Sequence, residues 1–206
     1  MDRIFSTFVR AVIKGNTGLT ARMLADKPEL ARCRFAEGAT RGNPKDFFIQ
    51  EIMHYIYRGD TALHLAAAAF QRATAELLIG GGAEPHAKNR MGAEPLHYAA
   101  DTNHTNAVAQ SETITYLISV GSNPNATDKN GVAPLHRAVR TRSAAAVRAL
   151  LAGGADVQQK NKNGSTALDL ATRNTGRSGS GSPEARAQQK VIIAMLLSAP
   201  PPASLR

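Results

Sequence analysis

The sequence predicts an all-α solenoid of stacked helix-turn-helix units, and three observations predict it. A short phrase recurs four times: Thr61-Ala62-Leu63-His64, Glu94-Pro95-Leu96-His97, Ala133-Pro134-Leu135-His136 and Thr166-Ala167-Leu168-Asp169. Successive copies lie 33, 39 and 33 residues apart, a period that belongs to repeat arrays. After each phrase come small residues, then an apolar pair such as Leu77-Leu78 or Leu150-Leu151; in the first three copies a glycine follows. That order reads as a short narrow helix, a second helix, and a stop in the left-handed conformation.

Residues 1–35 read as a divergent capping helix pair, with Phe8 to Ile13 and Ala21 to Leu24 as its helices and no Leu-His phrase. Residues 36–58 are an insertion: a Gly/Asn/Pro loop, then the aromatic stretch Phe47 to Tyr57, predicted to be helical. Phe48, Ile52, Tyr55 and Ile56 fall at helical spacing, so one face should pack on the neighbouring inner helices. Residues 59–91 form a repeat in which Thr61 can cap the first helix. Residues 92–130 form a repeat that starts on Pro95, where a missing N–H costs nothing, and gains six residues around Asp101 to Glu112. Residues 131–163 form a repeat without insertion, starting on Pro134. Residues 164–199 form the closing repeat, capped by Thr166 and lengthened by a Gly/Ser loop ending at Ser182-Pro183. Residues 200–206 are a tail that begins in proline. Atypical ends are expected, because terminal repeats need a polar outer face.

Composition narrows the function. Apolar residues make up 43% of the 206, but aromatics only 5%, with no Trp, which suits close small-residue packing over a large enclosed pocket. The single cysteine, Cys33, excludes an internal disulfide and a Cys-based zinc site. No apolar run approaches the roughly 18 residues of a membrane span, and no signal peptide is read at the N-terminus, so a cytoplasmic setting is expected. The net charge of +9 points to an acidic partner surface, nucleic acid or an anionic membrane, and bears on association rather than on fold.

With these motifs in place, the chain resembles the ankyrin repeat. Gly59-Asp60-Thr61-Ala62-Leu63-His64-Leu65-Ala66-Ala67 and Gly131-Val132-Ala133-Pro134-Leu135-His136-Arg137-Ala138 match its helix start; Gly153-Gly154-Ala155-Asp156-Val157 and Gly121-Ser122-Asn123-Pro124-Asn125-Ala126 match its end. The resemblance covers residues 59 to 172. It implies helix pairs in a curved stack with β-turn fingers to one side, and binding through finger tips and inner helix faces. It also implies that the motif histidine hydrogen-bonds backbone groups of neighbouring turns.

His64, His97 and His136 invite a metal hypothesis. Equivalent places in successive repeats stand about 10 Å apart, too far for one zinc ion with ligands at about 2.1 Å. His54, His86 and His104 are isolated in sequence. The Gly176 to Gly181 stretch lacks the Gly-Lys-[Ser/Thr] and preceding strand of a phosphate loop, although Arg173 and Arg177 beside it leave an anion or partner contact open. Charge placement is more informative. Lys88, Arg90, Lys129, Lys160 and Lys162 fall on fingers, and Arg140, Arg142 and Arg173 on helix turns. Phe47 and Tyr57 lie off the helical stripe and are candidate interface anchors.

The expectation is a non-catalytic adaptor or scaffold, a monomer without cofactor or metal, holding a protein partner with an acidic surface. Nucleic-acid binding through the same basic stripe, or stoichiometric inhibition of an enzyme as an immunity partner, are the alternatives.

Overall fold

The computed structural model describes residues 3–101, 106–173 and 182–199. Its architecture is an all-α stack of helix pairs. The pairs are α1 (Arg3–Ile13) with α2 (Thr17–Asp26), α3 (Ala62–Ala68) with α4 (Arg72–Gly80), and α5 (Pro95–Ala100) with α6 (Ala107–Ser119). They continue with α7 (Pro134–Arg140) and α8 (Ala144–Ala152), and with α9 (Ala167–Thr172) and α10 (Pro183–Ser198). Inner helices α1, α3, α5, α7 and α9 pack on one another in order, as do the outer helices behind them.

The inner helices α3 and α5 are only seven and six residues long, and every residue in them is buried. Helices this short are unstable alone; lateral packing holds them. Alanine is what lets it happen: Ala66, Ala67, Ala99, Ala100 and Ala138 have no exposed surface, so neighbouring backbones approach closely. Larger residues fill the layer behind, with Leu63, Leu78, Leu96, Ile114, Leu117 and Leu150 fully enclosed.

Helix ends follow the predicted chemistry. Pro95, Pro134 and Pro183 stand in first turns. Ser182 Oγ accepts from the Ala185 N–H at 3.1 Å. Outer helices close in a shared motif in which the N–H of Ala83, Ser122 or Ala155 reaches back to Leu78, Leu117 or Leu150 at 2.9–3.0 Å, with the preceding glycine left-handed.

The aromatic insertion is not a helix, which corrects the sequence expectation. A 3-10 turn (Pro44–Phe47) leads into β1 (Phe48–Ile49), a second 3-10 turn (Gln50–Ile52) and β2 (His54–Tyr55). The strands pair antiparallel, Phe48 with Tyr55 and Ile49 with His54. Aromatic and β-branched side chains favour this pleated pairing over a helix. Long-range backbone bonds decide it: the Ile56 N–H donates to Phe47 O and the Ala39 N–H to Ile56 O, both at 2.8 Å. Ile52 and Ile56 are buried as expected, but Tyr55 is exposed and Phe48 half-buried, their rings 4.9 Å apart across the hairpin.

Candidate functional site

The hairpin lies against the inner face of the stack. Between it and α5, α7 and two fingers is a cleft of about 510 Å³. The floor is a polar network. Tyr98 of α5 donates its hydroxyl to both oxygens of Asp60 at 2.8 Å, and Asn89 Nδ2 donates to Asp60 Oδ1 at 2.8 Å. Asp60 also accepts the Tyr57 N–H at 2.7 Å, tying the hairpin's exit strand to the floor. Beside this, Arg137 of α7 bridges Asp101 at 2.7 Å and Asp128 at 3.2 Å. Burial pushes the Asp101 carboxyl up, but the Arg137 guanidinium outweighs it and holds the group well below the usual carboxylate range. The hairpin docks through His54, whose ring stacks on Tyr98 at 4.3 Å and stands 3.8 Å from Asp101.

One wall of the cleft is the finger row. The N–H of Arg90 donates to Arg58 O, that of Lys129 to Met91 O and that of Lys162 to Asn130 O, at 2.8, 2.8 and 3.0 Å. Each finger is also closed internally: the side-chain oxygens of Asn89, Asp128 and Asn161 each accept two backbone N–H groups. Gly131 shows why the turn needs glycine, with φ +70° and a would-be Cβ 2.8 Å from Lys162 N. The fingers are therefore a rigid ladder, so little order remains to be gained on binding.

The histidines rivet one repeat to the next. In His64, His97 and His136 the Nδ1 accepts the N–H of the residue three before, at 3.1 Å each. The Nε2 faces Ala93 O, Val132 O and Ser165 O of the following repeat, at 3.1, 3.0 and 3.2 Å. An accepting Nδ1 and a donating Nε2–H define one neutral tautomer. Burial lowers all three pKa values, that of His97 to about 3. Asp169 keeps the local half of this arrangement, accepting the Thr166 N–H at 2.8 Å while Thr166 Oγ1 accepts the Asp169 N–H at 3.2 Å.

A family model described as ankyrin repeats matches residues 8–110 and 106–180. The chain belongs to the ankyrin-repeat family. No curated protein matches it. Ankyrin repeats are in general protein–protein interaction modules and are typically non-catalytic. No described helix is long and apolar enough to cross a membrane, and no metal-ligating cluster occurs among the described residues.

On this ankyrin frame the predicted site residues separate into groups. Lys129, Lys160 and Lys162 are exposed, and Lys129 and Lys162 occupy the same rung of successive fingers. Lys88 is exposed but lies 3.7 Å from Glu94. Arg90 braces the insertion, its guanidinium 5.7 Å from the Tyr57 ring centroid and hydrogen-bonded to Ala39 O. Tyr57 is half-buried, and burial raises its hydroxyl pKa. Phe47 packs against the core. Arg140, Arg142 and Arg173 share one small pocket; Arg177 lies outside the described residues.

Three features escaped the sequence reading. Arg58 extends the finger row and is exposed. Met53 and Tyr55, at the hairpin, are 45% and 37% exposed, more open than the half-buried Phe47 and Tyr57. The Asp60–Tyr98 and Asp101–Arg137 networks join residues 36 to 38 positions apart, which no local pattern announces.

Glu94 departs from the ankyrin pattern, standing where the phrase elsewhere has Thr or Ala. It is 4% exposed, its Oε2 lacks a hydrogen-bond partner among the described residues, and burial raises its pKa. Glu94→Thr should therefore stabilise the protein by about 1 kcal/mol in urea denaturation, because it removes a poorly satisfied buried carboxylate and restores a capping hydroxyl.

Proposed function

We propose that this ankyrin stack is a non-catalytic adaptor that holds an acidic protein surface along its finger row, with the hairpin and cleft as the adjoining contact. One observation carries the reading: Asp60, Asp101 and Asp128 on this face are already engaged internally, while Lys129 and Lys162 at the finger tips are not. Asp60 and Asp101 are held within the networks of the cleft floor, and Asp128 is shared between Arg137 and its own finger turn. Lys129 and Lys162 make no ion pair among the described residues, so the free charge offered to a partner is positive. Met53 and Tyr55 supply apolar contact beside it.

Reversing Lys129, Lys160 and Lys162 to Glu leaves the backbone ladder intact, since the bonds run through main-chain atoms. Partner capture should fall by at least tenfold, and most steeply at low salt. Capture unchanged by the triple reversal would overturn the reading.

A further inference from the structure

The turn between α7 and α8 carries two anomalies at one residue. Arg142 is left-handed, with φ +58°, a conformation that disfavours residues bearing a Cβ. The corresponding turn of the first helix pair uses Gly15, at φ +66°. In the second pair Phe70 stands there at φ +54°, but its ring is buried, at 5% exposure, and packing offsets the strain. Arg142 is only half-buried. Its Nη1 is buried without a hydrogen-bond partner among the described residues. A left-handed backbone at a half-buried arginine with one buried, unsatisfied guanidinium nitrogen points to function more than to stability.

Arg142 shares its pocket with Arg140, from the end of α7, and Arg173, just past α9; Gln189 of α10 closes the back. The Gln189 amide is already committed to Ala171 O at 2.5 Å. Two carboxylates lie near. Asp101 is 3.6 Å from Arg140 but is held closer by Arg137, at 2.7 Å. Asp169 acts on Arg173, but its Oδ2 accepts from Thr166. The enclosed part of the pocket is about 10 Å³, room for a single oxygen.

We propose that this arginine corner binds a phosphate monoester. One phosphoryl oxygen enters toward Arg142 Nη1, and Arg140 and Arg173 take the oxygens left outside. Three arginines lining one pocket, from the end of α7, the turn after it and the end of α9, suit a tetrahedral dianion with three free oxygens; a planar carboxylate is satisfied by one fork. The phosphoryl group can come from a phosphorylated protein side chain or from a free phosphorylated metabolite, and the chemistry is shared.

The test measures melting temperature and calorimetric binding for the full chain at constant ionic strength. Inorganic phosphate, a phosphoserine peptide and glutamate serve as probes, against wild type, Arg142→Gly, Arg142→Lys and Arg173→Gln. Phosphate should raise the wild-type melting temperature and glutamate should not. Arg142→Gly should melt about 2–4 °C higher without phosphate, because glycine relieves the strained turn, yet bind phosphate at least tenfold more weakly. Arg142→Lys should also bind more weakly, since an ammonium lacks the fork. Arg173→Gln, with no special backbone conformation at stake, should lose several-fold and keeps the test open if the glycine variant misfolds. A phosphoserine peptide binding at least tenfold tighter than phosphate points to a protein source, and equal binding to a metabolite. Equal phosphate response in wild type and all three variants, or equal response to glutamate, overturns the proposal. No partner protein enters the assay, so this result and the fate of the finger-row reading are independent.

Discussion

Replacing Asp101 by alanine should lower the unfolding free energy by about 3 kcal/mol, which strands a buried cation. Arg137 would keep only Asp128, at 3.2 Å, and its Nε already lacks a hydrogen-bond partner among the described residues. The hairpin should loosen as well, because His54 stands 3.8 Å from the same carboxylate. Asp101→Ala should therefore speed hydrogen exchange in β1 and β2 ahead of the helices. Adding Arg137→Met should restore at least half of the loss, since removing both charges is far milder than removing one. Urea denaturation of the two single variants and the double variant measures the coupling. A loss below 1 kcal/mol in Asp101→Ala would mean that the network is a surface decoration and that the cleft does not depend on it.

Acidification should destabilise the protein steeply below about pH 6.5. The sign follows from the histidine rivets. Burial lowers the folded pKa of His64, His97 and His136, so the unfolded chain takes up protons first as pH falls through about 6.5. The rivets' contribution is complete above that pH and is lost on the way down, for His97 until its folded value of about 3. Each ring costs about 1.4 kcal/mol per pH unit in that window. Glu94, whose carboxyl is raised by burial, gains stability on acidification and opposes the trend, so Glu94→Thr should steepen it. His136→Asp, copying the arrangement at Asp169, should keep the local cap and lose the bond to Ser165, at a cost of about 1–2 kcal/mol at pH 7.5. Its acid slope should be shallower, because one of the three lowered histidines is gone. Chemical denaturation between pH 7.5 and 5 reads both effects, and an unchanged slope would show that the rivets do not control acid stability.

The repeated frame was legible because its determinants are local. A proline or cap, a leucine and a histidine fix each inner helix start within four residues, and a glycine fixes each outer helix end. The insertion was misread for the opposite reason. Phe48, Ile52, Tyr55 and Ile56 happen to satisfy helical spacing, while the bonds that shape the segment reach from Ala39 to Ile56 and from Phe47 to Ile56. The finger cations were placed from the repeat register, and Lys129 and Lys162 do share a rung; Arg90 had the same register but was drawn onto Tyr57 by the inserted hairpin. Arg58 stands at the register of Met91 and Asn130, one place past the cation positions, so the repeat spacing does not single it out. The strain at Arg142 also had a trace in the sequence, since Gly15 fills the corresponding turn in the first pair.

The central claim is that the basic finger row holds a protein. Capture from the native cell on the immobilised chain, with mass spectrometry of the bound material before and after nuclease digestion, tests it most directly. The account predicts one protein bound near equal stoichiometry, retained after nuclease and released by salt. Material that disappears with nuclease treatment would contradict it and assign the same cations to nucleic acid.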